Sequence, residues 1–190
     1  MRADARRNRR RLLDAAVPVI LETGGDPSLD AIAQRAGVGI GTLYRHFPDR
    51  QVLLRTVVLD VLERTIAAGR AALAESGAGG EALRRYLHAA IDIGLGVVNV
   101  VHPLLDEPHW PDHRADAQEV LDGLVAAARR DGAIGEAVSA GDVALATIRF
   151  CRPLAVGLPA AEEQALAHRH LDTYLDGLAS AARRPSDGGG

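Results

Sequence analysis

The sequence predicts an all-helical fold in two unequal parts: an N-terminal three-helix unit joined by a long helix to a larger helical domain. Three observations predict it. Hydrophobic residues make up 47% of the 190 residues but aromatics only 3%, so the core is built from Ala, Leu, Val and Ile, a balance that favours helices over sheets. Apolar residues recur three and four apart along most of the chain, with no convincing strand run and no repeat of solenoid period. Charge is divided unevenly. Residues 1 to 55 hold ten Arg against six acids, a net +4, whereas residues 56 to 190 hold twelve Arg against nineteen acids, a net −7.

The first helix is expected over Arg6 to Thr23, where Leu12, Leu13, Ala16, Val17, Ile20 and Leu21 share a face and Gly24-Gly25 supply the stop. Pro18 lies inside it and predicts a kink near Asp14 to Pro18, since it removes a hydrogen bond and clashes with the preceding turn at a cost of about 3 kcal/mol or more. Ser28 can N-cap a short second helix, Leu29 to Ala36, ended by Gly37. Ile40 to Phe47 is a third short helix. Pro48 stops it, and Asp49 caps a fourth from Arg50 to about Glu75.

SGAGG at 76 to 80 is a flexible break, and Glu81 to about Val101 reads as one helix despite Gly94 and Gly96. HPLLDEPHWPDH, residues 102 to 113, contains three prolines and reads as an irregular connection around at most one helical turn. Helices are then expected over Asp116 to Arg130, Gly141 to Gly157 and Ala160 to Ala182, with Pro153 bending or ending the second of these. The domain limits that follow are 1–48, 49–182 and a tail, 183–190, with no apolar anchor and expected to be disordered.

Lysine is absent, so all 22 basic side chains are arginine forks. Six of them fall between Met1 and Arg11, a basic N-terminal arm suited to a polyanion. Cys151 is the single cysteine, so no internal disulfide forms and a reduced, cytoplasmic setting is expected. Arginines precede an apolar run near the N-terminus, but Asp14 interrupts that run and no small-residue cleavage site follows. No stretch approaches the about 18 uninterrupted apolar residues of a membrane span, so no membrane partner is expected.

The stretch AQRAGVGIGTLYRHF, 33 to 47, carries the functional information. Its glycines are not a phosphate cradle. The spacing is G-x-G-x-G rather than G-x-G-x-x-G, the preceding segment is helical, and a Walker loop needs a lysine. Rotating Ile40 to Phe47 by about 100° per residue turns Leu43 and Phe47 inward. The opposite side shows Gly41, Thr42 and Arg45, with Tyr44 and His46 on the flanks. That layout suits a helix in a DNA major groove: Thr42 and Arg45 reach base edges, Tyr44 and His46 reach phosphates, and Gly41 lets the backbone approach closely. A capped helix, a glycine turn and a second helix form a helix-turn-helix, packed by the helix before them.

Ser28 to Leu54, SLDAIAQRAGVGIGTLYRHFPDRQVLL, resembles the DNA-binding domain of TetR-type transcriptional regulators through its AxxAGV turn entry, its GTLYRHF helix and its FPD-R-x-x-L helix start. The likeness covers roughly residues 6 to 60. It implies base contacts from Thr42 and Arg45 and phosphate contacts from Tyr44, His46 and Arg50, and Ser28, at the cap of the preceding helix, is counted with this DNA-binding set. Three departures stand out: Gly39 where a polar cap is common, Pro18 in the first helix, and Val19-Ile20 where an aromatic is common.

The resemblance further implies dimerisation through the last two helices and a pocket for a small-molecule effector. Apolar stripes agree with a homodimer: Leu166, Leu171, Tyr174, Leu175, Leu178 and Ala182 in the final helix, and Val143, Ile148, Cys151 and Leu154 in the one before it. The same stripes could instead face the chain's own core. Tyr86, Trp110, Arg149 and Cys151 are the candidate pocket liners, and the loop around His102, His109 and His113 is placed at the pocket mouth. Pro111 between His109 and His113 argues against a helical metal-ligand pair, so no metal and no cofactor is expected.

No serine has a nucleophile-elbow context and no acid pair is singled out, so no catalytic residue is assigned and an enzyme is not expected. The expected function is a dimeric repressor that binds double-stranded, palindromic operator DNA and is released by an effector. The rival is a ligand-binding or metal-responsive helical dimer with weak DNA affinity.

Overall fold

The computed structural model describes residues 2–24, 27–75, 77–106, 110–152 and 158–183. Among these residues lie nine α-helices, one short 3-10 turn and no strand.

Helix α1, Arg2–Thr23, begins four positions before the expected start at Arg6, because Asp4 favours the positive helix terminus and pairs with Arg7. The N-terminal arginines are therefore a helical extension of α1 and not a separate arm. Pro18 sits inside α1, which continues through it. Helix α2, Leu29–Arg35, is capped by Ser28, whose Oγ accepts from Ala31 N at 3.3 Å. Gly37, at φ +64°, then turns the chain in a left-handed conformation that few side chains tolerate, and Val38 N donates back to Ala33 O at 3.0 Å.

Helix α3, Ile40–His46, follows without a side-chain cap, since Gly39 has none to offer. Asp49 Oδ1 accepts from Val52 N at 2.8 Å and starts α4, Arg50–Ala74.

The single helix expected from Glu81 to Val101 is two. Helix α5, Gly79–Ile93, ends where Gly94 turns left-handed at φ 86°, and the chain bends by 51° into α6, Gly96–Val101, and a 3-10 turn, His102–Leu104. Helix α7, Pro111–Arg130, starts earlier than expected because Pro111 occupies its first position, where a missing N–H costs nothing. Helix α8, Ala140–Phe150, opens on a reciprocal cap between Ser139 and Asp142. It ends before Pro153, which lies outside the described residues with Gly157. Helix α9, Ala160–Ala182, closes the fold, and 184–190 of the expected tail also lie outside.

Two cores result. One gathers α1, α2, α3 and the first half of α4 around Leu12, Ile20, Leu43, Phe47 and Leu54, and also takes in Val97 and Val101 of α6 together with Trp110. The other joins the second half of α4 to α5, α7, α8 and α9 around Leu83, Leu87, Leu124 and Leu171. Helix α4 thus serves both, with Val57 in the first and Ile66 in the second. At the α5–α7 crossing Gly79 lies so close to Ala127 that a methyl group there would overlap the Ala127 carbonyl, while its N–H donates to Asp131.

Part of the apolar stripes of the last two helices serves the chain's own core, the alternative the sequence left open, and Leu154 lies outside the described residues. Leu171, Leu175 and Val143 are buried in the chain's own core, with Tyr174 and Leu178 packed against it. Helix α8 turns Leu145 outward instead, 62% exposed. Among the described residues no single helix is long and apolar enough to cross a membrane.

Candidate nucleic-acid interface and the cavity behind it

Leu43 and Phe47 are both fully buried, one turn apart, and Ile40 packs at the edge of the same core. This pins the rotation of α3 and determines which atoms face out. Gly41 and Arg45 are exposed, Tyr44 is 49% exposed, and Thr42 and His46 are half-buried on the flanks. Nothing lies within 4 Å of where a Gly41 side chain would start, so the helix backbone itself is open to an approaching surface. Arg50, at the first position of α4, is half-buried, and Ser28 is exposed with its hydroxyl occupied by the α2 cap.

The arginines of α1 divide in role. The Arg9 guanidinium carbon lies 5.2 Å from the Phe47 ring centroid, which holds the start of α1 against the end of α3 by a cation–π contact. Arg10 bonds Asp14 Oδ2 through Nε at 2.9 Å and Asp60 Oδ1 through Nη1 at 2.7 Å. Arg64 Nη1 adds a contact of 3.6 Å to Asp60 Oδ2. These hydrogen bonds raise the Arg10 guanidinium further above its ordinary value and hold the Asp14 carboxyl below its own. Arg10 is therefore a structural clamp of α1 onto α4. Arg6, Arg7, Arg9 and Arg11 remain exposed.

Behind this head, a cavity of about 700 Å³ opens between α4, α5, α6, α7 and α8. Tyr86 and Trp110 line it together, Tyr86 from α5 and Trp110 from the residue that precedes α7. Burial pushes the Tyr86 hydroxyl up to about 12, so it is a donor at neutral pH. His102 and His113 also line it, with the His102 ring edge-on to Trp110 at 5.8 Å, whereas His109 lies outside the described residues. The other two candidate liners are elsewhere. Arg149 is exposed and lines no described cavity: Val143 and Thr147 point inward on α8, and two further positions turn a helix by about 200°, to the opposite side. Cys151 lines a separate cleft of about 720 Å³ beside Pro18, Asp92 and Phe150.

Sequence reasoning missed Asn99, Arg114 and Gln118, which reach the cavity as well. The signal for Arg114 was its place one turn after Trp110, legible only once α7 is known to start at Pro111. Among the described residues no group of three or more His, Cys, Asp or Glu side chains is arranged to hold a metal ion.

Comparison with known proteins agrees with this architecture. The family described as "Bacterial regulatory proteins, tetR family" matches residues 12–57, the helix-turn-helix and its flanks. The crystal structure of the TetR transcriptional regulator SCO0520 from Streptomyces coelicolor superposes with a TM-score of 0.66 at 33% identity, covering 94% of this chain and 99% of that one. The chain belongs to the TetR family. The repressor LfrR of Mycolicibacterium smegmatis is 39% identical over 88 residues, so the match spans about half of this chain and half of that relative, 46% of each. The structure of LfrR from Mycobacterium smegmatis in complex with proflavine aligns over 88% of this chain and 96% of its own, with a TM-score of 0.61 and 26% identity. As in other TetR-family members, the chain is all-helical, with an N-terminal helix-turn-helix and a helical C-terminal part.

Proposed function

We propose that this TetR-family protein is a homodimeric repressor whose α3 helices enter successive major grooves of a palindromic operator, and that a small molecule in the Tyr86–Trp110 cavity releases it. The observation that carries the DNA reading is the locked rotation of α3. With Leu43 and Phe47 buried, Thr42 and Arg45 are the side chains free to meet base edges, and Tyr44, His46 and Arg50 lie where groove walls would pass. Exposed Arg6, Arg7 and Arg9 extend the same positive surface along α1. Gly41 admits the DNA backbone, and Ser28 contributes through the helix it caps.

Two copies are required because one α3 reads only half of a two-fold site. The outer faces of α8 and α9 suit that pairing, with Leu145 exposed on α8 and the small residues Ala165 and Gly177 exposed on α9. Trp110 supports coupling between ligand and DNA. It lines the cavity and belongs to the core of the DNA-facing head, so a molecule against one side of the indole bears on what touches the other. A ligand that favours one spacing of the two heads would lower operator affinity by a coupling of about 1 to 3 kcal/mol. Such a regulator works in the cytoplasm, where its operator lies.

The deciding experiment selects bound fragments from the native genome and measures their affinity against salt. A shared palindromic site and a steep loss of affinity with rising salt are expected. Weak binding without sequence preference would favour a helical ligand-binding dimer instead.

A further inference from the structure

The chemistry of the cavity wall narrows what it can hold, and this step rests on the effector reading above. Its apolar surface comes from residues such as Leu62, Ile66, Val98 and Leu121. Asn99, Gln118, His102 and His113 can accept as well as donate, so the excess of donors rests on three other residues. The Tyr86 side chain is more than nine-tenths buried, lines the cavity, and its hydroxyl has no hydrogen-bond partner among the described residues. The Trp110 indole N–H is likewise unpartnered, on a residue 8% exposed. Arg114 reaches the rim from the first turn of α7 and forms no ion pair among the described residues.

These are donors, and one carries a full positive charge. None of the described lining residues is acidic. Two carboxylates touch lining residues from outside the cavity: Glu63, 3.6 Å from His113 Nε2 with a side chain 69% exposed, and Asp122, which accepts from Gln118 Nε2 at 3.0 Å. Thr65 and Thr147 already donate to Val61 O at 2.8 Å and Val143 O at 2.7 Å, so their hydroxyl protons are spent inside their own helices.

A donor that opens into an apolar cavity gains from an acceptor placed there, and Arg114, exposed at the rim, adds a positive charge on the same side. We propose that the cavity binds an apolar, ring-containing molecule with one carboxylate or comparably anionic group directed at Arg114, Tyr86 and Trp110, and that it discriminates against organic cations. The second cleft is lined by Asp14, Glu22, Asp92 and Glu163 together with Arg64 and Arg152, so it mixes both charges.

Trp110 is the chain's single tryptophan, so intrinsic indole fluorescence reports on this cavity alone. The full-length protein is titrated with three molecules of one shape: 4-tert-butylbenzoate, 4-tert-butylbenzyl alcohol and 4-tert-butylbenzylammonium. The benzoate is expected to change Trp110 emission with a dissociation constant about tenfold or more below that of the ammonium, with the alcohol between them. R114Q is expected to remove the benzoate's advantage over the alcohol, and R114K to retain it in part. Equal or tighter binding of the ammonium overturns the charge assignment and leaves the effector cavity standing. No emission change with any of the three overturns both.

Discussion

His88 on α5 and His168 on α9 face each other ring to ring, Nδ1 to Nδ1 at 2.6 Å, with the ring planes 17° apart. The outer nitrogens are held by carboxylates, His88 Nε2 by Asp172 Oδ1 at 3.0 Å and His168 Nε2 by Asp92 Oδ1 at 2.9 Å. A carboxylate only accepts, so both outer nitrogens donate, and the inner contact needs one further proton. The chain of four side chains ties a cavity helix to the last helix of the fold. The hydrogen bond from His88 also holds the Asp172 carboxyl below its ordinary value. A double-mutant cycle with His88→Ala and His168→Ala is expected to show a coupling of about 1 kcal/mol in urea unfolding. Strict additivity would mean that the two rings do not share a proton.

The clamp between α1 and α4 predicts an acid dependence. Asp14 lies below its ordinary 3.8 chiefly because Arg10 hydrogen-bonds it, so its contribution to stability is present above that value and is lost as the pH falls below it. Its side chain is 52% exposed, which limits the effect to about 1 kcal/mol or less. Asp14→Asn should lower the urea midpoint at neutral pH, with the gap to wild type closing below pH 3.8. A gap that does not change with pH would assign the loss to packing.

Burial pushes the Cys151 thiol up to about 12. Its alkylation by iodoacetamide at pH near 8 should therefore be slower in the native protein than in urea by on the order of 100-fold or more, because the thiolate is the nucleophile. Native labelling at the rate of a free thiol would contradict the close packing of Cys151 against Gly96 at the start of α6.

Gly79→Ala forces α5 away from the backbone of α7 at Ala127. A loss of about 1 to 3 kcal/mol is expected. In a chain of this size each kcal/mol lowers the midpoint by about 2 to 4 °C, readable by calorimetry. Operator affinity measured well below the midpoint should survive, since Gly79 is in the second core and distant in sequence from α3.

At the DNA surface, Arg45→Ala is expected to cost about 1 to 3 kcal/mol and to relax preference at one base position, whereas Tyr44→Phe should cost less and act almost equally on all sequences. Competition binding against substituted operators measures both. Wild-type selectivity in both variants would remove α3 from the groove.

The outward face of α3 was legible because a single rotation rule, anchored by Leu43 and Phe47, decides every position on a seven-residue helix. The break at Gly94 was not, since spacing alone cannot tell a glycine tolerated within a helix from one that leaves it; packing decides. The start of α7 at Pro111 carried a signal, proline at a first helical position, that the neighbouring prolines obscured. Apolar stripes on α8 and α9 reveal burial but not what lies against them, and Leu171 and Leu175 turned out to serve the chain's own interior. Arg149 was chosen for its polarity within an apolar helix, yet the phase set by Val143 and Thr147 sends it to solvent.

Two side-chain bonds reinforce the packing that joins the DNA-facing head to the rest of the molecule. Asp60 grips it from the α4 side through Arg10, and Gln51 Nε2 reaches Leu104 O, just beyond α6, at 3.0 Å. Val97, Val101 and Trp110 are packed into that same head, so a displacement of α6 would carry α3 with it as part of one body.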